Sequence, residues 1–168
     1  MFKKIMFVCT LVVLPVSAVA ATTHATMTRA VAAGIGPRLG FSSSPDQFIA
    51  GGQVVIGEVA PNLTFDPNLE IGVGDHLTDV NFSFDLHYHI DTRTTWRPYV
   101  GAGATLSVVN FDNDFYGDRE SETDAGGSFI FGAGVPTASG SRFFTELKLG
   151  FGDFVPSFKM LAGWNFRM

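Results

Sequence analysis

Asp85, His87 and His89 alternate along one stretch of the chain, and in an extended segment residues two apart share a face. A His-x-His pair on a strand can hold Zn²⁺ once a third ligand approaches. None is adjacent in sequence, and imidazoles also serve as ordinary hydrogen-bonding groups. These residues are therefore read as members of a polar network, with no metal and no cofactor assigned. The same alternation places Arg38, Glu70, Arg97, Glu146, Lys148, Lys159 and Arg167 on the polar face of their own segments. Buried charges need partners to offset desolvation. The expected network sets Arg38, Arg97, Lys148, Lys159 and Arg167 against Glu70, Asp85 and Glu146, with His87 and His89 beside them.

Other chemistry-bearing clusters carry less. Asp112, Asp114, Asp118, Glu120, Glu122 and Asp124 make an oxygen-rich run that begins like a calcium loop. It lacks the required ligands at Tyr116 and Thr123, so a solvated acidic loop that shares divalent ions with lipopolysaccharide is the ordinary reading. Gly34-Ile35-Gly36 and Gly101-Ala102-Gly103 have no strand-turn-helix setting for a phosphate. Asp75 and His76 could serve a hydrolase, but no serine nucleophile stands beside them in sequence. No catalytic constellation emerges.

The elements that must position these groups are strands. From Gly34 onward alternation recurs in eight blocks near 34–41, 47–57, 66–74, 79–90, 96–109, 124–136, 142–152 and 155–167. Blocks of about ten residues suit a tilted strand that crosses a bilayer. Val80, Phe82, Phe84, Leu86, Tyr88 and Ile90 fall on one face of the fourth block, opposite Asn81, Ser83, Asp85, His87 and His89. A soluble barrel would turn its apolar face inward, and alternation alone does not choose between the two arrangements. The polar face decides: it mixes many glycines with a few long charged groups. That composition fits the crowded interior of an eight-stranded barrel, which leaves room only for side chains.

Aromatic girdles at both headgroup levels are a further mark of such barrels. With the mature N-terminus in the periplasm, the outer strand ends present Phe41, Phe48, Phe82, Phe151 and Phe158. The periplasmic ends present Tyr88, Trp96, Phe143, Trp164 and Phe166. The longest link, 110–123, then falls on the outer side, where long loops belong.

The export signal agrees. Lys3 and Lys4 precede an apolar run from Ile5 to Val16, and Ser17-Ala18-Val19-Ala20 supplies small residues for cleavage before Ala21. The expected organisation is a signal peptide at 1–20, an N-terminal periplasmic segment at 21–33 and a barrel at 34–168. Cys9 leaves with the signal, so the mature chain has no cysteine and no disulfide to stabilise it. With 16% charged residues the chain lies well below the ~25% of soluble domains. It has no basic cluster of the kind that binds nucleic acid.

The export signal, the eight blocks, Gly36-Pro37-Arg38-Leu39-Gly40-Phe41, Arg97-Pro98-Tyr99-Val100-Gly101-Ala102-Gly103 and the closing Trp164-Asn165-Phe166 resemble the OmpA/OmpX-like outer-membrane β-barrel family. The resemblance covers 34–168. It implies an all-β, eight-stranded, antiparallel up-and-down transmembrane barrel with a packed polar interior. It also implies residence in the outer membrane, contact with its lipid and lipopolysaccharide, and handling by the outer-membrane assembly machinery. The expected role is non-enzymatic, structural or surface-interacting. Two other readings are an outer-leaflet lipid-modifying enzyme and a soluble periplasmic ligand-binding barrel with its Phe face inward.

Overall fold

The computed structural model describes residues 31, 33–74, 77–111, 120–153 and 155–168, the side chains of 111, 120 and 121 excepted. The signal peptide, most of the 21–33 segment, Asp75, His76 and the acidic residues 112–118 lie outside the described residues.

Nine strands form one antiparallel sheet. They are β1 (Gly34–Ser43), β2 (Gln47–Val55), β3 (Glu58–Ala60), β4 (Leu63–Gly74), β5 (Leu77–His89), β6 (Arg97–Phe111), β7 (Glu120–Pro136), β8 (Arg142–Phe151) and β9 (Phe158–Arg167). Apart from β2 and β3, which both pair with β4, neighbours in sequence pair in space, and β9 pairs back onto β1, so the sheet closes. Gly57, at φ +92°, breaks the ladder just after Ile56 donates its N–H to the Phe65 carbonyl. The three residues of β3 then resume pairing with Leu63 and Thr64. Pro61 fixes the next turn and Asn62 sits at φ +62°, a left-handed position that Asn tolerates better than most residues. β2 and β3 are thus one interrupted wall strand, and the barrel is eight-stranded.

Several strand limits differ from the alternation blocks, and each difference follows from pairing. β4 begins at Leu63, because Leu63 to Asp66 pair with Tyr88 to Asp85 of β5. β6 and β7 stay paired to Phe111 and Glu120, which shortens the expected 110–123 link to residues 112–119. β9 begins at Phe158, not at 155. Pro156 has no N–H to give a ladder, and Val155 turns inward instead, 5% exposed, against Gly126 and Gly150 at one mouth of the barrel.

The two faces have inverted polarity relative to a soluble core. Phe84 is 49% exposed and Leu147 37% exposed, whereas Arg38, Glu70 and Asp85 are fully buried and Glu146 and Lys148 nearly so. The soluble reading required Phe84 and its neighbours inside, and the structure places them outside. Glycines make the interior possible. Phe144 and Tyr99, both inward and buried, occupy the space that side chains at Gly163 and Gly132 would need. Such pairing of bulky and absent side chains lets large inward residues fit within a narrow lumen.

Candidate functional site

The interior of the barrel is the candidate site, and β1, β4, β5, β8 and β9 supply its charges. β1 points Arg38 inward between Gly36 and Gly40. Its NH1 donates to Gln53 Oε1 at 3.0 Å, its NH2 to Glu146 Oε1 at 2.5 Å, and its Nε lies 3.1 Å from Glu70 Oε1 as an ion pair. The guanidinium carbon also stands 5.8 Å from the centre of the Phe144 ring, within reach of a cation–π attraction. Lys159 Nζ donates to the other Glu70 oxygen at 2.8 Å. Lys148 Nζ donates to Asp85 Oδ2 at 2.5 Å and lies 3.9 Å from both Glu70 and Glu146. Glu70, Asp85 and Glu146 are thus joined through Arg38 and Lys148, and Lys159 adds a further cation to Glu70.

A second tier hangs from this ring. His87 Nδ1 lies 2.7 Å from Asp66 Oδ2 and its Nε2 3.7 Å from Glu146 Oε2, which also accepts from the Tyr99 hydroxyl at 2.9 Å. Asn68 Nδ2 donates to Asp85 at 2.7 Å. His89 is buried, hydrogen-bonds through Nε2 to Thr64 Oγ1 at 3.1 Å, and packs its ring 5.4 Å from that of Tyr99. Ser83 and Thr105 share a hydrogen bond across β5 and β6.

Of the ten network residues expected from sequence, Arg38, Glu70, Asp85, His87, Glu146, Lys148 and Lys159 meet directly. His89 stands beside them on neutral partners. Arg97, half-buried, and Arg167, exposed, line a cavity at the β7–β8 turn end of the barrel. Alternation sets the face of a side chain but not its height along the axis, and these two lie at strand ends. Asp66, Asn68, Tyr99, Gln53 and Phe144 are network members that the sequence reading did not name. Asp66 and Asn68 share parity with Glu70, the signal that could have found them.

Asp85, His87 and Glu146 could each turn one ligand atom to a common point. Lys148 and Arg38 already neutralise the two carboxylates. The arrangement is a set of interlinked ion pairs between strands far apart in sequence, and it suits holding the wall strands together.

The chain aligns with the N-terminal β-barrel domain of Pseudomonas aeruginosa OprF at a TM-score of 0.69 and 15% identity, covering 82% of this chain and 98% of that one. It aligns with Neisserial surface protein A at 0.64 and 14%, covering 81% and 96%. The fold is that of the OmpA/OmpX-like outer-membrane barrels. No family model and no curated protein matches the sequence.

The outer surface shares this architecture. Phe41, Phe48, Tyr88, Trp96, Phe151, Phe158 and Phe166 are exposed on the outward face, and Phe143 and Trp164 are half-buried there. Phe41 and Phe48 pair edge to face at 5.5 Å, in one row with Met160 and Val73. Phe143, Trp164 and Phe166 cluster at the opposite end, with ring centres 6.0 and 6.5 Å apart. Phe82 is exposed but pairs with Leu69, and so stands within its strand and not at the end row.

Proposed function

We propose that this chain is a non-enzymatic outer-membrane barrel, exported by its first twenty residues, with a structural or surface-interaction role and an interior closed by side chains. The observation that carries the reading is the inverted polarity: large apolar residues ring the outside while Arg38, Glu70, Asp85, Glu146 and Lys148 neutralise one another within. Water is a poor solvent for the first surface, and lipid is a good one. The same surface supports contact with outer-membrane lipid and lipopolysaccharide, and handling by the outer-membrane assembly machinery. Asp75 and His76, the only pair considered for lipid chemistry, lie outside the described residues.

Cell fractionation combined with gel mobility tests the reading. The expected result is recovery in outer-membrane fractions with a shift between unheated and boiled samples. Recovery in the soluble periplasm without a shift would overturn it. In planar bilayers the purified barrel is expected to lack a large steady conductance, and a large one would remove the closed interior.

A further inference from the structure

We infer that the end of the barrel bounded by the β7–β8 turn and the start of β1 is a binding site for an oxyanion, a phosphate or a carboxylate. A cavity of about 300 Å³ opens there. Register assembles its wall: Arg97 faces Gly134, Pro136 faces Arg142, Arg142 faces Asn165, and Arg167 faces Gly34. Three guanidinium-bearing strands therefore meet at one mouth, and all three arginines have inward parity.

The cavity presents donors and lacks acceptors of matching charge. No carboxylate stands among the described residues that line it. Arg142 and Arg167 form no hydrogen bond or ion pair with a described residue; the Arg142 stem lies over Gly134 and that of Arg167 over Gly140. Asn165, 5% exposed, spends its Oδ1 on Gln53 Nε2 at 2.9 Å, which leaves Nδ2 buried without an acceptor. A buried donor left unmade is costly, and an oxyanion satisfies an amide and guanidinium groups together.

Glu58, the carboxylate beside Val31 at the rim, accepts from the Val31 N–H at 3.3 Å and does not itself line the cavity. Val31 and Ala33 line the cavity, and residues 1–33 contain no Asp or Glu. An anion from outside the chain, free or the headgroup of a lipid, supplies the acceptor that Asn165 Nδ2, Arg142 and Arg167 lack among the described residues. Turn geometry holds the rim: Thr137 N–H and Oγ1 both donate to the Ser141 carbonyl, at 2.8 and 2.9 Å, and Gly140 adopts φ +82°. The site is independent of what the protein does at the cell surface, since it follows from the interior alone.

The test is an NMR titration of the whole barrel, folded in zwitterionic micelles, with inorganic phosphate, with acetate and, as an ionic-strength control, with chloride. A separate arm uses nanodiscs with and without phosphatidylglycerol. Saturable shifts at the Gly34 and Gly140 amides and the Asn165 side-chain amide are expected with phosphate or acetate but not with chloride. Response in the lipid arm alone would assign the same chemistry to a headgroup. Arg142→Gln should weaken binding about tenfold or more, the loss of one charge-assisted contact. Asn165→Asp keeps the acceptor for Gln53 and supplies an internal carboxylate, so it should abolish binding and raise the unfolding temperature. Absence of saturable shifts in every arm, or equal affinity in the folded Arg142→Gln and Asn165→Asp variants, overturns the site.

Discussion

The Phe144 ring on β8 fills the volume that a side chain at Gly163 on β9 would occupy, and the two residues face each other in the strand register. A Cβ at Gly163 would also meet the Pro37 carbonyl of β1, at 2.5 Å. One missing side chain thus admits both a buried aromatic and a close backbone approach.

Gly163→Ala should therefore destabilise the barrel by about 1–3 kcal/mol, the usual cost of overpacking a filled interior. Urea unfolding in lipid vesicles, followed by tryptophan fluorescence, reads the shift in midpoint. Trp164 adjoins the substituted position and supplies the signal. A midpoint equal to that of the parent would mean that Phe144 moves freely.

Arg38 touches Glu70, Glu146 and Gln53, so Arg38→Met removes the shared guanidinium from two buried carboxylates at once. Removing one partner of a buried ion pair costs about 3–5 kcal/mol. Lys159→Met should cost less, because Glu70 retains Arg38 as a partner. Unfolding midpoints of the two variants should fall in that order, and the reverse order would displace Arg38 from the centre of the network.

Phe84 lies mid-strand on the outward face of β5. Phe84→Arg separates the membrane reading from a soluble one. Facing hydrocarbon, the substitution should cost about 2–4 kcal/mol; facing water it would cost little or improve solubility. Folding yield into vesicles, scored by gel mobility, decides between them.

Val155 closes the mouth opposite the arginine cavity, and Val155→Ala removes two buried methyl groups from it. The expected loss is about 1.5 kcal/mol at roughly 0.8 kcal/mol per group. Conductance in planar bilayers should remain unchanged, because the ion-paired ring lies deeper in the lumen. An open channel in this variant would make Val155 the true seal.

Alternation made most of this architecture legible in the sequence. The faces of β5 and β8 follow directly from Phe84 against Asp85 and Leu147 against Glu146. What stayed hidden depends on register, which relates residues far apart in the chain. Tyr99 and Phe144 share the inward face of their strands with polar residues, and the opposing Gly132 and Gly163 make room for them. Asp66 fell at the very start of its block, so its tie to His87 appears only when β4 is extended and paired with β5. The positions of Arg97 and Arg167 at the cavity are matters of depth, which a two-residue period does not encode. Val155 and β3 were missed because a proline in one case and a left-handed glycine in the other interrupt an otherwise regular pattern.

The distribution of sign along the chain has a consequence for biogenesis. Strands β1 to β7 contribute Asp66, Glu70, Asp79 and Asp85 to the fully enclosed charges but only one cation, Arg38. Lys148 and Lys159 arrive with the last hairpin, and the contacts they make bridge 63 and 89 residues of sequence. Asp85 and Glu70 therefore gain their lysine partners only when the last hairpin, which also brings Glu146, takes its place. Sealing the cylinder and pairing these two carboxylates with lysine become a single event, which disfavours any half-built intermediate that tries to rest in hydrocarbon.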